Sequence, residues 1–209
     1  MFNMSFKLSG VKEAMEKFDP RKVNKAIGVT LNETIRAVRT ATSKKIREGY
    51  AIKKRDLDAA MKIKLAKSGE MSATIEVSGR PIAASKFGTP RQTGKRGRPH
   101  RGSTHAGGGT LVQTYAGKVR RLIPHAFIAT VKSGHKGVWK RDMARKRPSI
   151  IGKRGKPIKG KAYLEEIYGP SIPQLFWNRV VKPVIYKTVN ETWQKRFMHH
   201  VERLTGGKG

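Results

Sequence analysis

Leu164-Glu165-Glu166-Ile167-Tyr168-Gly169-Pro170-Ser171-Ile172-Pro173-Gln174 joins a short extended segment to the longest amphipathic run in the chain. Gly169-Pro170 ends whatever precedes it. Ser171 and Gln174 form an S-x-x-Q capping box, in which the hydroxyl accepts from a first-turn N–H and the glutamine bonds back. Pro173 costs little so close to a helix start. Apolar side chains follow at Leu175, Phe176, Val180, Val181, Val184, Ile185, Val189, Trp193, Phe197, Val201 and Leu204. Steps of three and four make this one buried helical face. Pro183 lies inside the run and predicts a kink near Arg179.

Outward from this junction, a second long amphipathic run lies near the start of the chain. Ser9-Gly10 opens a short helix through Val11, Ala14, Met15 and Phe18, and Asp19-Pro20 stops it. Asp19 is also a fitting N-cap, with Pro20 at the first helical position. The helix that follows spans about 20–48, with Val23, Ile27, Leu31, Ile35, Val38, Ala41 and Ile46 on one face. A short helix is predicted from Ile52 to Met61, with Leu57 and Ala60 inward. The period then changes to two, in 62–66 and again in 72–78, as in a β-hairpin. Further extended segments are predicted at 110–115, at 119–123 (ended by Pro124), at 126–131, at 138–141 and at 163–167. Helices, then strands, then one long helix, with no βαβ alternation, predict an α+β fold. It is a mainly antiparallel sheet packed with two long helices (about 20–48 and 172–204), plus basic flexible arms. One domain over 1–209 is expected, with a basic arm at about 88–110 and a second basic segment at about 141–161.

Charge is the strongest global signal. The 209 residues carry a formal net charge of +32. Residues 86–161 hold 21 Lys and Arg against a single acid, Asp142. Such a bias exceeds what a solvated surface needs and points to a polyanion, nucleic acid being the commonest. The basic segments are rich in Gly and Pro and lack a paired apolar face, which disfavours an anionic membrane. No run is apolar enough to span a bilayer, and the N-terminus lacks the apolar centre of a signal peptide. Synthesis in the cytosol is expected. The chain has no cysteine, so disulfides and thiolate metal sites are excluded.

Readings as an enzyme find little support. Gly155 to Ala162 nearly spells a P-loop, but Ala162 lacks the hydroxyl that would reach magnesium. His199 and His200 are neighbours on a helix and point about 100° apart. His100 and His105 stand among cations that disfavour a metal. No partnered acid and base is evident, so no catalytic residue, metal, cofactor or small-molecule substrate is assigned. Arg91, Lys95, Arg96, Arg98, Arg101, Lys140 and Arg141 are the candidate contacts to nucleic acid or to an acidic protein neighbour, and the sequence leaves that choice open. The arms carry no interleaved aromatics for base stacking, so any nucleic-acid contact is phosphate neutralisation, blind to sequence and sensitive to salt. Glu165 and Glu166 are expected to meet a basic surface, their own or a neighbour's.

The order of several motifs resembles the minor tail protein Z family of tailed bacteriophages, the tail-completion proteins of siphophage-like tails. Ser9-Gly10-Val11 looks like the family's opening, and Leu31-Asn32-Glu33-Thr34 within 26–41 like its long helix. Lys53-Lys54-Arg55-Asp56-Leu57 resembles the basic segment that follows, and Pro81-Ile82 the strand after the hairpin. Gly107-Gly108-Gly109-Thr110-Leu111-Val112 looks like the exit from its basic insertion. Ile123-Pro124-His125-Ala126-Phe127-Ile128 is the sharpest match, Val138-Trp139-Lys140-Arg141 resembles the next strand, and 169–173 looks like the junction into the last helix. The resemblance implies a structural virion protein of the tail's head-proximal end, near the neck. It implies a homo-oligomeric, hexameric ring that acts in tail completion, head-tail joining and DNA placement. The implied partners are the tail terminator, the tail tube, the connector and phage DNA in the lumen, with no membrane. A free, sequence-independent nucleic-acid-binding protein of the ribosome- or nucleoid-associated type is the competing expectation.

Overall fold

The computed structural model describes residues 6, 8–67, 71–93, 108–146, 148–151, 157–158 and 162–206. These form two compact units, one of Met1–Ile46, Lys54–Gly79 and Ile172–Gly209, the other of Arg47–Lys53 and Arg80–Ser171.

The first unit is built on helices. Gly10, at φ +82°, turns the chain into α1 (Val11–Lys17). Asp19 then caps α2 (Pro20–Gly49), its carboxylate accepting the Arg21 N–H at 2.8 Å. At 1.5 Å per residue α2 is about 45 Å long. Its last turn, Arg47–Gly49, belongs to the second unit. The buried face carries Val23, Ala26, Ile27, Thr30, Thr34, Val38, Thr42, Ser43 and Ile46. Leu31, Ile35 and Ala41, expected on that face, are only partly buried. The buried stripe is therefore rotated toward the threonines. Thr30 is satisfied by donating to Ala26 O at 2.7 Å, a bond that lets a hydroxyl enter an apolar face.

A short helix α3 (Lys54–Ala60) leads into the hairpin of β1 (Met61–Lys64) and β2 (Thr74–Val77), paired Met61↔Val77 through Lys64↔Thr74. Asn32 of α2 holds the chain just past β1, accepting the Ala66 N–H at 2.7 Å and donating to Ala66 O at 3.1 Å.

The junction quoted first works differently from the expectation. Its helical run is two helices, α4 (Ile172–Phe176) and α5 (Lys182–Thr205), separated by a turn over 177–181. Pro183 therefore does not kink a continuous helix. It occupies the first turn of α5, where a missing N–H costs nothing. Asn178 shapes the turn, its side chain accepting the Val180 N–H and its carbonyl accepting from Val181 and Lys182.

The two long helices α2 and α5 pack together. Trp193 and Phe197 stack with centroids 4.9 Å apart and, with Val201, close on Val23, Ala26, Ile27 and Ala14. The Trp193 indole N–H reaches Ser9 O at 3.0 Å, which ties α5 to the entry of α1. Burying a ring of this size contributes about 1.5–3 kcal/mol, more than any single exposed ion pair supplies.

Among the described residues, the regular structure of the second unit is strand apart from one 3-10 turn (Ala84–Lys86) and the end of α2. Its strands are β3 (Pro81–Ala83), β4 (Arg91–Thr93), β5 (Gly109–Val112), β6 (Arg121–Pro124), β7 (Ala126–Thr130), β8 (Lys136–Lys146), β9 (Ile150–Ile151), β10 (Pro157–Ile158), β11 (Ala162–Glu166) and β12 (Tyr168–Ser171). They pair as β4-β5-β6, β11-β8-β7, β10-β9 and β12-β3, all antiparallel. The expected antiparallel character holds, spread over small sheets rather than gathered in one.

Gly169-Pro170 does not end the extended segment. It runs through β12, whose register with β3 shifts between Tyr168 and Ser171, as a ladder must where proline offers no N–H. Gly169 is required by close packing, since an added Cβ would lie 2.5 Å from Cε2 of the buried Phe87. His125, at φ +60°, makes the corner that carries the chain from β6 into β7.

Candidate polyanion and partner interface

Antiparallel pairing in the second unit carries both basic segments. Thr93 and Gly109 are Cα partners, so the first arm leaves β4 and returns on β5 at adjacent positions. The Thr93 hydroxyl donates to Gly109 O at 3.0 Å and accepts the Gly109 N–H at 3.3 Å, locking the base of the arm. Only glycine fits at 109, because a Cβ there would collide with Ile123 O and lie 2.9 Å from the Leu122 side chain. The second basic segment begins in β8 and returns in β11, paired from Trp139↔Glu166 out to Lys146↔Ala162, with β9 and β10 paired between them.

Gln92 joins the arm's stem to the neighbouring sheet. Its side-chain oxygen accepts the Ile128 N–H at 2.9 Å, and its amide nitrogen approaches Ala126 O at 3.4 Å. The same oxygen receives the Thr110 hydroxyl at 3.4 Å. One side chain thus occupies the outer edge of β7 as another strand would.

The candidate contact residues are placed as follows. Arg91 is exposed on β4, in register with Leu111 and through it with Leu122. Lys140 and Arg141 are consecutive on β8 and so project from opposite faces. The Arg141 guanidinium lies 5.3 Å from the Phe127 ring centroid, a cation–π contact that orients the planar fork while leaving its N–H edge available. Lys140 faces Glu165 across the β8–β11 ladder, and Arg141 faces Leu164. These three cations do not converge on one spot. Lys95, Arg96, Arg98 and Arg101 lie outside the described residues, as do Gly155, Lys156 and 159–161 of the near P-loop.

Glu165 and Glu166 have different surroundings. Glu166 accepts the Tyr168 hydroxyl at 2.8 Å on one oxygen, and its other oxygen lies 2.7 Å from His135 Nε2. His135 meets the Trp139 ring edge-on, and the Trp139 indole donates to Ala129 O at 3.0 Å. Gly137 leaves the space this needs, for an added Cβ would lie 2.6 Å from Glu166 Oε1. The hydrogen bond to Glu166 raises the Tyr168 phenol above its ordinary pKa, with burial and the Glu166 charge adding and Arg80 opposing. Glu166 is therefore an internal anchor that meets its own subunit's histidine, whereas Glu165 is exposed.

Asp142 is also engaged internally. Arg145 Nε donates to it at 2.8 Å, and the Ala144 and Arg145 N–H groups donate to its other oxygen. The Arg145 side chain, then the Arg145 and Ala144 amides, hold its carboxyl below the usual aspartate range, and the Arg145 guanidinium is raised in turn.

The second unit carries 24 Lys and Arg against four acids, Glu48, Asp142, Glu165 and Glu166. Two of those acids are bound as just described, and a third faces Lys140. The unit's own carboxylates cannot neutralise that surplus.

Sequence reasoning missed Gln92, His135 and Arg145. Gln92 and His135 act on partners more than thirty positions away, and no spacing signals that. The Asp142–Arg145 pair could have been found, since Asp142 is the one acid in the basic run and stands three residues from Arg145. Among the described residues, no group of three or more His, Asp or Glu could hold a metal. No described helix is long and apolar enough to cross a membrane.

The family model for prophage minor tail protein Z matches residues 8–204, nearly the whole chain. No curated protein matches the chain, and no solved structure does.

Proposed function

The chain belongs to the prophage minor tail protein Z family, and on that premise we propose that it completes the tail at its head-proximal end. It is a structural component of the phage tail and works among other tail proteins. In our reading it forms a ring, hexameric like the tail it closes, next to the tail terminator, the tail tube and the connector. The ring supports head-tail joining and places the end of the DNA. The chain is not assigned a catalytic step.

The observation that carries this reading is the surplus of cations in the second unit, which four carboxylates cannot balance. A ring repeats that surplus in every subunit, so weak phosphate contacts add around a lumen. Arg91, Lys140 and Arg141, with Lys95, Arg96, Arg98 and Arg101 of the first arm, are the proposed contacts. Phosphate contacts that ignore sequence let DNA be held and then released.

The test is a knockout in the producing phage, with the lysate viewed by electron microscopy and complemented by purified protein. Tails that fail to join heads, or joined particles that do not infect, are the expected result. Normal infectious particles would sink the reading and return the protein to free nucleic-acid binding.

A further inference from the structure

Two sheet edges in the second unit are complementary. Among the described residues, β6 ends the β4-β5-β6 sheet and β11 ends the β11-β8-β7 sheet. An open edge presents unpaired N–H and C=O groups to another strand. The outer edge of β7 is already occupied by Gln92. β6 reads Arg121-Leu122-Ile123-Pro124 after Arg120, and residues 77–141 contain no acid at all. β11 ends Tyr163-Leu164-Glu165-Glu166, and residues 162–178 contain no Lys or Arg. Leu122 is 46% exposed and Leu164 is 41% exposed, a poor state for either in a lone subunit.

The hydrogen-bonding phase of the two edges agrees. His125 N donates to Gly108 O, so by strand alternation Ile123 and Arg121 bond inward to β5, and Leu122 and Arg120 turn their amides outward. Ile167 N donates to Val138 O, so Glu165 and Tyr163 bond inward to β8, and Leu164 and Glu166 turn outward. Laid antiparallel, outward Leu122 meets outward Leu164, and outward Arg120 meets outward Glu166. Between them Arg121 falls opposite Glu165, and Ile123 opposite Tyr163. Every apolar residue then faces an apolar one, and every cation faces an acid.

We propose that β6 of one copy of this chain adds antiparallel to β11 of the next, with Arg121 paired to Glu165. The contact joins different surfaces of two identical subunits. Repeated head to tail, it closes into a ring if the rotation per subunit allows. The proposal rests on the ring reading above and supplies that ring's interface.

The test uses the full chain. Because the chain has no cysteine, an oxidised equimolar mixture of Arg121→Cys and Glu165→Cys chains should give a disulfide-linked dimer. Pairs of this non-hydrogen-bonded kind bring Cβ atoms close enough for a bond. In sedimentation, Arg121→Glu or Glu165→Lys alone should weaken self-association roughly tenfold, and mixing the two variants should restore it. Circular dichroism identical to wild type shows that each variant is folded. If the wild-type chain self-associates but shows neither the crosslink nor sensitivity to reversal, the edge pairing is wrong and the ring reading survives. A wild-type chain that stays monomeric at every concentration overturns both.

Discussion

Gln92 shows how much one side chain can fix. It faces β7 with an acceptor for Ile128 and a donor for Ala126, and so ties the root of the first arm to a second sheet. Gln92→Ala leaves those strand groups to water, and a cost of about 0.5–1.5 kcal/mol is expected in urea unfolding. Two ionisable side chains give pH signatures with opposite signs. Asp142 is depressed in the fold, so its contribution is complete above the ordinary aspartate pKa of 3.8 and disappears as pH falls through the lower folded value. Arg145→Gln should move the Asp142 carboxyl midpoint, followed by NMR, upward toward the ordinary range. Tyr168 is raised, so its contribution is complete below the ordinary phenol pKa of 10.0 and is lost as pH rises through the higher folded value. Glu166→Gln should bring the tyrosinate absorbance midpoint down.

At the scale of elements, the α2–α5 seam buries Trp193, Phe197 and Val201 against Val23, Ala26 and Ile27. Phe197→Ala removes a ring stacked on Trp193 and should cost about 3–5 kcal/mol in thermal or urea unfolding. The Thr34 hydroxyl is buried with no hydrogen-bond partner among the described residues. Thr34→Val keeps the shape and should raise stability by about 1 kcal/mol. Both long helices are legible from their three- and four-residue spacing, and Asp19 as a cap is legible from its place before Pro20. The inward face of α2 is not. Periodicity ranks a threonine below an isoleucine, whereas Thr30 hides its hydroxyl in a bond to its own helix. The α4–α5 break reads in sequence as a kink because Pro183 fixes where a helix cannot continue, not whether the chain bends or starts again. The extent of β8 is hidden because its outer half, Asp142-Met143-Ala144-Arg145-Lys146, lacks an alternating apolar pattern, and pairing with β11 overrides that.

For the whole molecule, charge is the most legible property and its use the least. Composition shows a surplus of cations in the second unit that its own four carboxylates cannot balance. It cannot show that Glu166 is held by His135 and Tyr168 or that Asp142 is held by Arg145. Removing the first arm tests where the binding charge lies. The cut must spare β4, since a deletion starting at Arg91 would also remove Gln92. Replacing residues 94–107 with an Asn-Gly turn should keep the unfolding temperature near that of the full chain. It should also flatten the salt dependence of DNA binding, by about 0.9 in log–log slope for each phosphate the arm no longer neutralises. An unchanged slope would move the binding charge elsewhere. Because Thr93 and Gly109 stand side by side, about 5 Å apart, whatever lies between them is an insertion with a closed doorway. A change in its length over generations of phage should leave β4 and β5 paired. A protease that nicks it leaves both halves fastened in place. The same doorway is where a fluorescent domain with adjacent termini could be spliced in to watch the subunit arrive on a growing tail.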